Sequence, residues 1–255
     1  MLAAASDAAG VDRIGVDIER LNKNARQAHV ANARISAHDL GDLVRLGAAI
    51  RRAALFARLN PLHDGSADEV ATALGHGASV LMLPYFTTAR EVERFVRLVD
   101  GRAAVSLLLE TAAAAMRLHD ILAVGGIDEV MIGLNDLHLS AGLDHPFELV
   151  ASELMAPLSA QIRAQGIRFG FGGLARTGDD SLPVPADLVI AQHARLGSTA
   201  AWLSRSFFAG LEKAALGAEI TRLRARLDFW ATQPEDVLET QRDRLRRHLG
   251  ALVGR

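Results

Sequence analysis

The chain has no cysteine in its 255 residues. Disulfides, thiolate nucleophiles and cysteine-ligated zinc or iron–sulfur centres are therefore excluded. Lysine is almost absent as well: of the 28 basic residues, only Lys23 and Lys213 are lysines. Catalysis through an imine needs a lysine amine at the site. Lys213 falls in the tail and Lys23 in a loop six residues past Asp17, so the shortage disfavours that chemistry. Neither charge sign is in excess; a net charge of −2 gives no electrostatic case for nucleic acid or an anionic membrane as partner. No stretch approaches the ~18 uninterrupted apolar residues of a membrane span. The opening "MLAAASDAAG" lacks the basic segment of a secretory signal, and a cytoplasmic protein is expected. No GxGxxG or Walker spacing follows any strand-like run, so the usual phosphate cradles are missing; "GFGGLA" (170–175) is glycine-rich at a different spacing and carries little alone.

Short apolar runs alternating with amphipathic ones are abundant. "RIGVD" (13–17), "LFARL" (55–59), "SVLML" (79–83), "AVSLLLE" (104–110), "EVMIG" (129–133), "RFGFG" (168–172) and "DLVIA" (187–191) are nearly continuous, the pattern of parallel strands covered on both faces. Helical patterns lie between them, among them 88–99, opened by Thr88 and Glu91 in capping-box spacing, and 146–166, stopped by Gly166. Seven strong strands predict an α/β fold, a (β/α)8 TIM barrel with its first strand missing or incomplete. "NARIS" (32–36) is a weak candidate for the eighth. Residues 1–210 are expected to form the catalytic barrel. Residues 211–255 are expected to form a helical extension whose stripe of Ile220, Leu223, Leu227 and Trp230 either covers the chain's own outside or, the favoured reading, packs on a second subunit in a homo-oligomer.

In parallel α/β folds the working groups gather at the carboxyl ends of strands. That rule selects Asp17, Glu19 and Arg20; Arg58 and Asn60; Pro84; Glu110 and Thr111; Asn135, Asp136 and His138; Arg176; and Gln192, His193 and Arg195. Two hydrophobic runs thus stop at carboxylates, Glu110 and Asp136, twenty-six residues apart. As a pair, with substrate oxygens and water, they suit Mg²⁺ or Mn²⁺; the competing reading is that Glu110 serves the N-terminus of the helix after it. Arg58, set in an apolar strand, needs an anion, either a substrate carboxylate or Asp17 or Glu19. His138 and His193 are candidate proton carriers.

"GVDRIGVDIE", "LFARLNPL", "LLLETAAA" and "IGLNDLHLSAGL" together resemble the HpcH/HpaI aldolase and citrate lyase β-subunit family over about residues 8–208. The resemblance implies a phosphoenolpyruvate/pyruvate-type barrel and a divalent metal on Glu110 and Asp136. It implies that Arg58 binds the carboxylate of a pyruvate-like group, with Gly133, Leu134, Asn135 and Asp136 cradling it and Pro84 beside it. The expected activity is metal-dependent carbon–carbon cleavage or formation on a 2-oxo acid or acyl-CoA-type ester through a stabilised enolate. Asp17, Glu19, His138 and His193 are the candidate bases. Phosphoenolpyruvate-type transfer on the same barrel and a non-catalytic binding or assembly role are the alternatives. Two positions depart from the family pattern: Arg20 stands where the aldolase branch has a basic histidine, and Leu108 where it has a glutamine.

Overall fold

Runs buried on both faces have no polar side to show, and "VLML" and "AVSLLL" become strands whose residues, Ala104 excepted, are all buried. The computed structural model of the protein describes residues 2–21 and 36–254. Lys23 and most of "NARIS" lie outside the described residues. The fold is α/β, an incomplete barrel. Among the described residues it has seven parallel strands, ordered in sequence from β1 to β7, where a closed barrel has eight. The chain divides into two compact units, residues 1–130 and 131–255, so the boundary expected at 210/211 falls within the second.

In the first unit, β1 (Arg13–Asp17), β2 (Ala54–Arg58), β3 (Val80–Leu83) and β4 (Ala104–Leu109) pair in parallel. The register sets Asp17 opposite Arg58 and Arg58 opposite Met82. Gly15 is required by this pairing: a Cβ there would lie 1.8 Å from the Phe56 carbonyl oxygen. Helices α1 (Leu2–Ala8), α2 (Gly41–Ala49), α3 (Ser66–Gly75), α4 (Ala89–Val99), α5 (Ala112–Met116) and α6 (Leu118–Leu122) connect or flank the strands. The capping box at Thr88 and Glu91 forms as expected, α4 buries Val92, Phe95 and Val99, and Asp100 closes the helix in the left-handed conformation.

Two buried acids tie this unit together at the amino ends of its strands. Asp7 accepts backbone N–H bonds from Arg51, Arg52 and Ala53 at 2.9, 2.9 and 2.7 Å, which anchors α1 to the turn before β2. Glu129, at the start of β5 (Glu129–Ile132), accepts from Arg13 Nη1 with both carboxylate oxygens, at 2.6 and 2.8 Å, and from Ser106 Oγ at 2.8 Å. Polar groups at this end of a barrel serve stability.

The second unit holds α7 (Leu134–Ser140), α8 (Pro146–Ala151), α9 (Met155–Ala164), β6 (Arg168–Leu174), α10 (Ala186–Arg195), β7 (Ala200–Leu203), α11 (Arg205–Phe208), a 3₁₀ turn at Lys213–Ala215, α12 (Leu216–Ala231) and α13 (Glu235–Leu252). The helix expected over 146–166 is broken at Ser152. "DLVIA" is not a strand: it lies inside α10, and the last strand is "AAWL". The reason is burial on all sides. Residues Leu188–His193 of α10 are all buried, because the helix packs on β6 and is covered by α12 and α13. A helix without a solvent face shows no 3.6-residue period and cannot be told from a buried strand by pattern. The same packing uses up the C-terminal stripe. Ile220, Leu223 and Trp230 are buried within the chain and Leu227 half-buried, which is the reading in which they cover the protein's own helices rather than a second subunit.

Candidate functional site

The carboxyl ends of β1, β2 and β4 bring charge together in the first unit. Arg58 closes β2. Its Nε donates to Asp17 Oδ1 at 2.8 Å, its Nη2 donates to Asp17 Oδ2, and Glu19 Oε2 lies 3.6 Å from Nε. Glu19 is wholly buried. Burial alone would lower the Arg58 pKa. The hydrogen bond and charge of Asp17, with the charges of Glu19 and Glu110, outweigh it, and the pKa ends above its ordinary value. Arg58 is therefore a permanent cation among three acids, and of the two anions expected for it the structure contains the internal one.

Glu110 follows β4 and is 2% exposed. The N-cap of the next helix is Thr111, its Oγ1 accepting the Ala114 N–H at 3.0 Å. Glu110 Oε1 accepts the backbone N–H of Tyr85 at 3.0 Å. Tyr85 sits at φ +51°, a left-handed conformation uncommon for a residue with a side chain. It follows Pro84, which is buried at the end of β3. Sequence reading missed Tyr85, since nothing in the residue type signals a positive φ. It also missed Glu69, which takes the Asn60 backbone N–H and side-chain amide at 2.8 and 2.7 Å. Asn60 Oδ1 in turn accepts the N–H groups of Arg20 and Leu21 at 2.8 and 3.1 Å, and Arg20 reaches the His38 carbonyl at 2.8 Å.

In the second unit, Gly133 precedes α7, and Leu134, Asn135 and Asp136 make its first turn. Asp136 is 7% exposed, Asn135 is exposed and Leu134 is buried. His138 is buried one turn on, its Nδ1 2.9 Å from the Leu134 carbonyl. A carbonyl only accepts, so Nδ1 carries the proton and, in the neutral ring, Nε2 keeps its lone pair. His193 is different. It was selected as lying past a strand, and it lies in the last turn of α10, stacked on Phe171 with ring centroids 3.7 Å apart. Ser198 Oγ donates to the Ala200 carbonyl at 2.8 Å and so accepts from His193 Nδ1 at 3.0 Å. The His193 Nε2 is buried and has no hydrogen-bond partner among the described residues. Burial pushes the imidazole pKa down to about 3, which leaves a core group rather than a proton carrier. Gln192 and Arg195 share the helix, bonded to the Leu188 and Val150 carbonyls at 3.1 and 2.8 Å. Arg176 is tied to Asp179 and the Ala209 carbonyl at 3.1 and 2.7 Å.

The donors that could serve a metal are hard carboxylate oxygens. Among the described residues no group of three or more His, Asp or Glu is arranged to hold an ion. Glu110 and Asp136 are each buried carboxylates, hard oxygen donors of the kind Mg²⁺ takes alongside water and substrate oxygens.

The HpcH/HpaI aldolase/citrate lyase family pattern matches residues 1–167. No curated protein matches the chain. Among solved structures it is similar to an HpcH/HpaI aldolase from Desulfitobacterium hafniense DCB-2 at 18% identity, with a TM-score of 0.61, over 91% of this chain and 88% of that one. It is also similar to an HpcH/HpaI aldolase/citrate lyase family protein from Burkholderia cenocepacia J2315 at 19% identity, with a TM-score of 0.63, over 85% and 88%. The citrate synthase SbnG follows at 18% identity, with a TM-score of 0.58, over 89% of both chains. Identities this low speak for the fold alone.

Proposed function

The chain belongs to the HpcH/HpaI aldolase/citrate lyase family, and from that premise we propose that it is a divalent-metal-dependent carbon–carbon lyase acting on a 2-oxo acid. The observation that carries the reading is that the matched span contains Asp17, Glu19, Arg58, Glu110 and Asp136. Three of the acids surround the one arginine at strand ends. Glu110 and Asp136 would hold Mg²⁺ or Mn²⁺, which supplies Lewis acidity for the negative charge of an enolate. Arg58 would orient the substrate carboxylate, sharing its guanidinium with Asp17. For oxaloacetate the C3–C4 bond breaks, carbon dioxide leaves, and the electron pair remains as the pyruvate enolate until a proton is delivered to C3. His138, with Nε2 able to bind and release a proton, retains the chemistry for that last step.

Oxaloacetate should be converted to pyruvate in Mg²⁺ or Mn²⁺, lose turnover in EDTA and regain it on adding metal back. Borohydride in the presence of pyruvate should trap nothing. Full activity in EDTA, or an adduct on Lys23, overturns the mechanism. Arg58→Lys keeps the charge and loses the planar fork, so the KM for the 2-oxo acid should rise about ten-fold or more, in line with ~1.5–3 kcal/mol for a charged hydrogen bond. A lysine variant with wild-type KM would assign Arg58 to the Asp17 ion pair alone.

A further inference from the structure

Helix α4 carries charge that its own stability does not call for. Its buried face is Val92, Phe95 and Val99, and both of its ends are capped. On its outer side Arg90, Arg94 and Arg97 follow at four- and three-residue spacing, and all three are exposed. That spacing puts guanidinium groups beside one another, where like charges repel. Arg90 also lies in the first turn, where the helix dipole disfavours a cation. Arg97 is relieved by Glu93 at 3.0 Å. Arg90 and Arg94 form no ion pair or side-chain hydrogen bond among the described residues. The three line a surface hollow of about 310 Å³ together with Leu62, Thr88 and Glu91. Glu91 Oε2 accepts the Thr87 and Thr88 backbone N–H groups at 3.0 and 2.8 Å and their hydroxyls at 2.9 and 2.8 Å, which ties this carboxylate to the start of its own helix. Leu62 belongs to the loop after β2, the strand that ends in Arg58, and Thr88 to the loop after β3. The hollow therefore begins on the side of the first unit where Arg58 and Glu110 lie.

We propose that this arginine-lined hollow binds a phosphate group, carried either by the substrate or by a separate small-molecule effector. Two unpaired guanidinium forks one helical turn apart match the several acceptor oxygens of a phosphate dianion, which each can meet through paired N–H donors. A bound dianion would also offset the repulsion along the helix. Only the first source rests on the function proposed above, and the binding measurement needs no turnover.

The test is calorimetric titration of inorganic pyrophosphate into the full-length protein without added metal. Saturable binding is expected, weakened at least ten-fold in the Arg90→Gln/Arg94→Gln double variant, whose melting temperature should be unchanged or slightly higher. Arg58→Lys should leave pyrophosphate affinity intact. No saturable binding to the wild type, equal binding to the double variant, or binding lost in Arg58→Lys would each overturn the proposal. Pyrophosphate that competes with oxaloacetate in turnover assays identifies a substrate-borne phosphate. Pyrophosphate that changes kcat without competing identifies an effector.

Discussion

Replacing Glu110 with glutamine should lower kcat/KM for oxaloacetate by about 10²-fold or more, the scale on which one preorganised electrostatic group acts on a developing anion. Glutamine keeps the volume, and its side-chain oxygen can still accept the Tyr85 N–H that Glu110 Oε1 now takes at 3.0 Å. The fold should therefore survive, with an unchanged circular dichroism spectrum. What glutamine removes is the negative charge and, on the function proposed above, a cation ligand. Calorimetry should show Mg²⁺ or Mn²⁺ binding to the wild type and its loss in both Glu110→Gln and Asp136→Ala. Wild-type kcat/KM and metal affinity in Glu110→Gln would reduce Glu110 to a tether for the Tyr85 turn.

The second large effect is on stability, and it centres on His193. Its folded pKa of about 3 lies below the ~6.5 of an unfolded imidazole. The unfolded chain thus binds a proton that the folded one refuses. For a base whose folded pKa is lowered, stability is full above the unfolded value and falls as the pH drops toward the folded value. The affected window runs from about pH 6.5 to 3, and its first two units should cost roughly 3 kcal/mol at ~1.4 kcal/mol per unit. His193→Leu removes the titrating ring while keeping an apolar group against Phe171. Urea unfolding of the variant should be much flatter between pH 6.5 and 4.5 than that of the wild type. Some slope will remain from His145, whose pKa is also lowered by burial, with the His138 and His248 charges in the same direction and Glu148 opposing. The depressed carboxylates, Asp187 and Glu91 among them, act lower still, near and below pH 4. A variant with the wild-type slope would mean that His193 is protonated inside the fold.

Pattern alone revealed the elements whose surroundings are simple. β3 and β4 are sheet-buried on both sides and read as unbroken apolar runs, and α4 is half-solvated with a clear period and a capping box. α10 could not be read, because burial on every side erases periodicity. β7 was lost because four small or half-buried residues after a Gly-Ser turn carry little apolar signal. In the site, chemical type was enough to find Arg58 and its acids, since a charge in an apolar strand demands a partner. The identity of that partner, Asp17 at the matching register, is a property of the β1–β2 pairing and not of either segment. Tyr85 and Glu69 act through backbone geometry and a loop contact, which no local composition encodes.

The enclosure of α10 also bears on how the protein comes off the ribosome. Its apolar surface is finished only by α13, whose last residue is made 57 residues after the last of α10. At 5–20 residues per second this leaves roughly 3 to 11 s in which the helix has emerged without its cover. The first unit can close while that happens; the second cannot. During this interval a helix with its apolar run Leu188–Ala191 uncovered is available to chaperones and to other nascent chains, so the yield of native protein depends on how fast the helices that cover it are delivered as well as on how stable the finished fold is.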